Sequence, residues 1–212
     1  MSVSNIIFDW DGTLAKTLDL WLAGYQAALE SRGHKFDAKT IVSEFFHNHH
    51  EVPERYPDLE FHIIAEETRS YVFAALSSVE LYDGAFEVLS RLAQQEKTVT
   101  LVTSSSRHLL EKALASHELQ NYFSSIIAGD DGFGHKPSTQ PFEETIKRVE
   151  ASPESTAIVG DTHVDIQAGQ SLGCKTCWFA PLHNGLFHDF DYIRKLSPDY
   201  EISDLRELLQ IS

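Results

Sequence analysis

The sequence predicts an α/β protein whose core is a doubly wound parallel sheet, with an all-helical domain inserted into it. Three observations lead to that class. From Tyr82 to Phe179, short apolar runs of strand length alternate with segments of helical period. No strand-like run separates the helical segments between residues 16 and 81. The residues able to carry chemistry fall where apolar runs end, which is where open parallel sheets bind ligands.

The first strand, Ser4 to Phe8, breaks into Asp9-Trp10-Asp11-Gly12-Thr13. From Leu18 the period changes, with Leu18, Trp21, Leu22, Tyr25, Ala28 and Leu29 forming one helix that ends near Gly33. A short helix is expected over Ala38 to Phe46 and a longer one over Leu59 to Leu76, its stripe made of Phe61, Ile64, Ala65, Thr68, Tyr71, Val72 and Leu76. Turn formers fill His47 to Pro57 between them. The domains are therefore residues 1–15 with 82–212 as the core, and 16–81 as the helical insert.

After Tyr82-Asp83-Gly84 a helix runs through Leu92, and the alternation then continues. The strands are Val99 to Thr103, Ser125 to Ala128, Thr156 to Val159 and Lys175 to Phe179. The helices between them are Arg107 to Ser116, Phe142 to Val149 and Asp165 to Leu172. Pro181 to Ser197 is aromatic and histidine-bearing without clean period, and is expected to pack over the core edge. A last strand over Pro198 to Ile202 and a helix over Leu205 to Leu209, capped by Ser203, complete the chain.

Composition narrows the function classes. With 32 acidic against 17 basic residues the formal net charge is -15. So acidic a surface repels nucleic-acid backbones and anionic membranes, but leaves room for a small phosphorylated ligand held by a metal ion and one lysine. No apolar run approaches membrane-spanning length and no secretory leader precedes the first strand, so a cytoplasmic location is the expectation. The 2 cysteines, Cys174 and Cys177, sit in a strand-like segment. Residues three apart on a strand point to opposite faces, so a redox pair is rejected in favour of ordinary buried thiols.

Asp9 and Asp11 are the most informative residues. In extended geometry they point to one side with Trp10 turned away, and two carboxylates near a dry strand end call for a divalent cation or a functional proton. Turn or capping aspartates are the plainer alternative. Thr103 and Ser104 end a strand ahead of a helix and could hold an anion, or Thr103 to Ser106 could simply cap that helix. Lys136 is either a charge-neutralising group or a solvated loop lysine, and Asp165 either a metal partner or a carboxylate at a helix start.

Taken together, DWDGTL at Asp9, the strand Thr98 to Ser104, Lys136-Pro137, and Gly160-Asp161-Thr162-His163-Val164-Asp165 resemble, in order, the four signatures of the haloacid dehalogenase superfamily of phosphohydrolases. The resemblance spans about residues 5 to 180. It implies Asp9 as nucleophile, Asp11 as general acid and base, and Thr103, Ser104, Gly12 and Lys136 around the phosphate. It further implies Mg2+ on the Asp9 carboxylate, the Asp11 backbone carbonyl and Asp161, with Asp165 a direct or water-mediated partner, and the insert as a helical cap.

The activity so implied is Mg2+-dependent hydrolysis of a small phosphomonoester metabolite, similar to the phosphoglycolate phosphatase group, through an aspartyl-phosphate. A phosphomutase of the β-phosphoglucomutase type would keep the same residues, and a catalytically silent binding protein on this fold is the remaining alternative. Dehalogenases lack a counterpart of Asp11. His47, His49 and His50 form a poor zinc set, because no cysteine or carboxylate at ligand spacing completes it. They read as a solvated loop or as a cap element that meets substrate. Arg107 and His108 face either the pocket or the surface.

Overall fold

The computed structural model describes residues 3–47 and 49–211, His47 by its backbone alone. The chain divides into two compact units, Thr17–Val79 and the remainder on either side of it. Among the described residues no helix is long and apolar enough to cross a membrane.

Strand β1 (Asn5–Phe8) leads to the helical unit, built from α1 (Thr17–Glu30), α2 (Ala38–Ile41), α3 (Val52–Arg55) and α4 (Phe61–Ala75). Helices α1 and α4 pack along their length. At their crossing a Cβ on Gly24 would lie 3.0 Å from Thr68 Cγ2, so a small residue permits the approach. The expected stripe is buried at Ile64, Thr68 and Val72 of α4 and at Leu76 just past its end, with the Thr68 hydroxyl satisfied by the Ile64 carbonyl at 2.8 Å. Tyr71 departs from it and is 43% exposed. The segment expected as a plain loop after His47 instead holds a 3-10 turn, His49–Glu51, running into α3. Proline at the first turn of α3 suits a helix start, because its missing N–H is not needed there. Within this unit Leu18, Trp21, Tyr25, Phe45, Phe46, His49, Phe61, Ala65 and Arg69 line a cavity of about 370 Å³.

The second unit is the α/β core. Its elements are α5 (Ala85–Gln94), β2 (Thr98–Val102), α6 (Arg107–Ser116), β3 (Ser125–Ile127), α7 (Gln140–Arg148), β4 (Thr156–Gly160), α8 (His163–Leu172), β5 (Lys175–Phe179), α9 (Phe190–Lys195) and β6 (Tyr200–Ile202). All six strands are parallel, in the order β3-β2-β1-β4-β5-β6. The order reverses at β1, whose Phe8 sits level with Leu101 of β2 and Val159 of β4. Every residue of β1 is buried, as expected of a central strand covered on both faces. Ile7, Val102, Ile127, Phe142, Ile146 and Ile158 form the core on one side of the sheet, and Ile166, Trp178 and Ile193 cluster elsewhere.

Two expectations about the C-terminal region need correction. The last helical segment is 3-10, Leu205–Gln210, and its cap is Asp204, which accepts from Arg206 N at 2.9 Å, rather than Ser203. Asp204 lies in the extended position directly before the first turn, where a short acceptor reaches the free amides. The segment from Pro181 does more than cover an edge: Asn184 is fully buried and donates to the Gly12 carbonyl in the turn after β1.

Cys174 and Cys177 are buried free thiols. Burial, reinforced by Glu154 at Cys174 and by Glu207 at Cys177, pushes each thiol up to about 12. We expect neither to react appreciably with a disulfide reagent at pH 8 in the native protein, while denaturant exposes both. Rapid labelling of folded protein would contradict this burial.

Candidate active site

The loops that follow β1, β2 and β4 meet at the carboxyl edge of the sheet, at the strand-order reversal. Gly12, with φ at 77°, adopts the left-handed conformation that turns the chain after β1. Trp10 goes into the core at 1% exposure, as its alternation requires. Asp9 and Asp11 then diverge in partner. Asp9 Oδ1 accepts from Lys136 Nζ at 2.6 Å, whereas Asp11 Oδ2 accepts from the Thr103 hydroxyl at 3.0 Å and the Ser105 hydroxyl at 2.7 Å.

Lys136 arrives on the connection between β3 and α7, and its ammonium is shared between Asp9 and Asp165 Oδ1, the latter at 2.7 Å. The side chain is 4% exposed, so the solvated-loop alternative does not describe it. Asp131 anchors the same connection: its carboxylate takes the Arg107 guanidinium through Nε at 2.8 Å and a second nitrogen at 2.5 Å. Arg107 is committed to that fork, and its backbone amide is taken by Asp130. Ser106 precedes α6 without a side-chain capping bond, so helix capping is not what the serine run supplies. Thr103 is buried, Ser104 is exposed, and Gly129 has no room for a Cβ, which would fall 2.2 Å from the Ser104 carbonyl oxygen.

Asp165 takes the helix-start role, one of the two alternatives for it, and also pairs with Lys136. Its Oδ2 accepts from the Thr162 hydroxyl at 2.6 Å in a capping box at the start of α8, while Oδ1 faces Lys136. It comes so near the end of β4 that a Cβ on Gly160 would lie 2.3 Å from Asp165 Cγ. Asp9, Asp161 and Asp165 each offer an oxygen within 4.8 Å of the others, and all three are buried. Among the described residues no histidine joins such a group, and His49 and His50 are exposed.

The electrostatics of the cluster follow from burial. Burial is the largest influence on Asp9 and raises its pKa well above the ordinary carboxyl value, Lys136 opposing and Asp165, Asp161 and Asp11 adding to it. Asp161 is raised for the same reason, against the opposing effect of His188. Burial alone would lower Lys136, but Asp165 and Asp9 outweigh it and the ammonium is held above its usual range. Three acids thus face one lysine in a dry site. Their all-oxygen donor set suits a hard divalent cation such as Mg2+, which keeps several waters and needs few protein ligands.

Sequence reasoning missed three members of the site. By sequence Ser105 offers only a helix cap, yet in the fold its hydroxyl holds Asp11. Asn184 and His188, in the aperiodic tail, both reach Asp161. Their one signal was an aromatic and histidine-bearing stretch without period, which is unlike ordinary surface helix.

Comparison with known proteins agrees with this architecture. Residues 6–179 match the family model described as haloacid dehalogenase-like hydrolase. A relative named pyrophosphatase PpaX, from Halalkalibacterium halodurans, is 28% identical over all of this chain and 97% of its own. PpaX of Anoxybacillus flavithermus is likewise 28% identical, with the same coverage. Among solved structures, a predicted phosphoglycolate phosphatase from Haemophilus somnus superposes with a TM-score of 0.83 at 21% identity, covering 100% of this chain and 98% of that one. YfnB from Bacillus subtilis, in a form bound to magnesium, gives 0.77 at 24% identity, covering 100% and 99%. The chain belongs to the haloacid dehalogenase-like hydrolase family, and it is an enzyme of that family's phosphatase kind.

Proposed function

We propose that the protein is a Mg2+-dependent phosphohydrolase acting on a small phosphorylated metabolite, with Asp9 as the nucleophile. One observation carries this: Asp9, buried at the strand-order reversal, is paired with Lys136 while Asp11 beside it is held separately by Thr103 and Ser105. The two acids therefore stand in different environments, as a nucleophile and a proton-transfer group must. Asp9, Asp161 and Asp165 are the side chains that would hold Mg2+. When bound, the ion supplies charge neutralisation for the phosphoryl oxygens.

In the first step a carboxylate oxygen of Asp9 attacks phosphorus, the bond to the leaving oxygen breaks, and Asp11 donates a proton to that oxygen. Water then attacks the aspartyl-phosphate, Asp11 takes its proton, and inorganic phosphate leaves with Asp9 restored. The Thr103 hydroxyl, which donates to Asp11, is placed to turn to a phosphoryl oxygen instead. Lys136 keeps Asp9 in its attacking orientation and offsets part of the negative charge. Substrate selection belongs to the helical unit, whose cavity presents aromatic faces together with His49 and Arg69. The names of the curated relatives make inorganic pyrophosphate, and those of the structural neighbours phosphoglycolate, the first compounds to assay.

Asp9→Asn is expected to leave the fold intact and lower kcat by at least about a thousandfold, since an amide is a poor nucleophile. Asp11→Asn should cost about a hundredfold to ten-thousandfold. Phosphate release from an aryl phosphate and from those two candidates measures both. Near-normal turnover in Asp9→Asn ends this assignment.

Excess chelator should abolish activity and Mg2+ restore it, with Ca2+ a poor substitute because of its larger, looser coordination. The pH dependence has a definite sign. Because burial raises the Asp9 and Asp161 carboxyls, the metal-free fold bears no ionisation cost below the unfolded carboxyl value. That cost grows as pH rises through the window up to the folded values, and above them it is complete. Mg2+ relieves it, so the Mg2+-induced rise in Tm should be larger at pH 8 than at pH 5. At a hundred times its Kd the ion contributes about 2.7 kcal/mol, several degrees for a protein of this size. Equal shifts at both pH values would count against the acid cluster as the binding site.

Replacing His47, His49 and His50 together with alanine should lower kcat/KM for the physiological substrate more than for a generic aryl phosphate, which uses few remote contacts. An equal fall for both substrates, or none, would remove the loop from substrate selection.

A further inference from the structure

The carboxylate of Asp161 is completely buried on the turn between β4 and α8, yet that turn does not orient it. Its orientation comes from two places far away in sequence. Oδ1 takes the Thr13 hydroxyl at 3.3 Å, while Oδ2 takes His188 Nε2 at 2.7 Å and Asn184 Nδ2 at 3.4 Å. A carboxylate turns freely about its terminal bond unless both oxygens are engaged from different directions, as they are here.

Asn184 is itself held without freedom. Its Nδ2 donates to the Gly12 carbonyl at 2.9 Å and its Oδ1 accepts from the Tyr82 hydroxyl at 2.5 Å. Exchanging the amide's nitrogen and oxygen would set oxygen against the Gly12 carbonyl and the Asp161 carboxylate, so the network admits one orientation only. Tyr82 is braced edge-on against Phe179 at 5.0 Å. Asn184 thus ties the glycine turn after Asp9 to Asp161, and neither it nor His188 lies in any of the four sequence signatures.

We propose that Asn184 and His188 are positioning residues that fix the rotation of the Asp161 carboxylate for cation binding. The role rests on the assignment of Asp9, Asp161 and Asp165 as a Mg2+ site. Side chains that orient metal ligands from behind change metal affinity by about tenfold to a hundredfold when removed. A merely structural role would lower stability and leave the affinity of folded protein unchanged.

Calorimetric titration of the full chain with Mg2+ separates these, using wild type, His188→Phe, His188→Gln and Asn184→Leu. His188 is the decisive position, because its side chain is 10% exposed at the margin of the network, whereas Asn184→Leu strands two buried polar partners and can fail to fold. We expect His188→Phe to raise the Mg2+ Kd about tenfold to a hundredfold, and His188→Gln, which keeps a donor near the Nε2 position, to return it to within about threefold of wild type. In kinetics the His188→Phe defect should disappear at saturating Mg2+ with substrate KM unchanged. A wild-type Kd in folded His188→Phe overturns the positioning role alone. Absence of Mg2+ binding in wild type refutes the cation site and this role with it.

Discussion

The sharing of the Lys136 ammonium between Asp9 and Asp165 is the interaction on which the rest of the site depends. Acids buried together at a sheet edge repel one another and lose hydration, so each would take up a proton unless positive charge is supplied. Lys136 supplies part of that charge. Removing one member of such a buried pair typically costs about 3–5 kcal/mol, a large share of a domain's stability, so the lysine supports the fold. The protein thus keeps a deficit of positive charge at the site, and that deficit makes the site receptive to a cation.

Backbone geometry makes the crowding possible. Gly160 ends β4 where any side chain would collide with Asp165, and Gly129 lets the loop after β3 lie against the Ser104 carbonyl. These close approaches draw the ends of neighbouring parallel strands into one small volume. Strand order then decides which ends those are: with β2 and β4 on either side of β1, Asp9 lies between Thr103 and Asp161. The acidic residues of the rest of the surface keep the net charge strongly negative. The positive charge that Lys136 brings to this edge of the sheet is therefore local and runs against the protein's overall field.

The helical unit follows a different logic. Its interior is a set of rings, Tyr25, Phe36, Phe45, Tyr56 and Phe61, with neighbouring centroids 5.5 to 6.1 Å apart in mostly tilted or edge contacts. Three of these rings, Tyr25, Phe45 and Phe61, also line the cavity of this unit. The cavity of this unit is lined entirely by its own residues, and the acid cluster entirely by residues of the core.

The alternation of apolar runs with helical segments determined the parallel sheet, and the aspartates, the Thr103 region and Lys136 at the ends or connections of those runs were legible as a candidate site, because strand period and strand-end placement are local properties. The helical insert was legible for the same reason, from an absence of strand pattern over some sixty residues. What the sequence could not state was partnership. That Ser105 faces Asp11, that Arg107 serves Asp131, and that Asn184 and His188 hold Asp161 depend on chain segments that become neighbours only once the sheet is assembled. The stretch after β5 and ahead of α9 has no clean period because Asn184 and His188 answer to Gly12 and Asp161 on other loops rather than to one face of a helix or strand. Local pattern therefore determined the scaffold and the main acids, while tertiary packing alone decided which side chains orient them, because hydrogen bonds between distant segments leave no periodic trace in sequence.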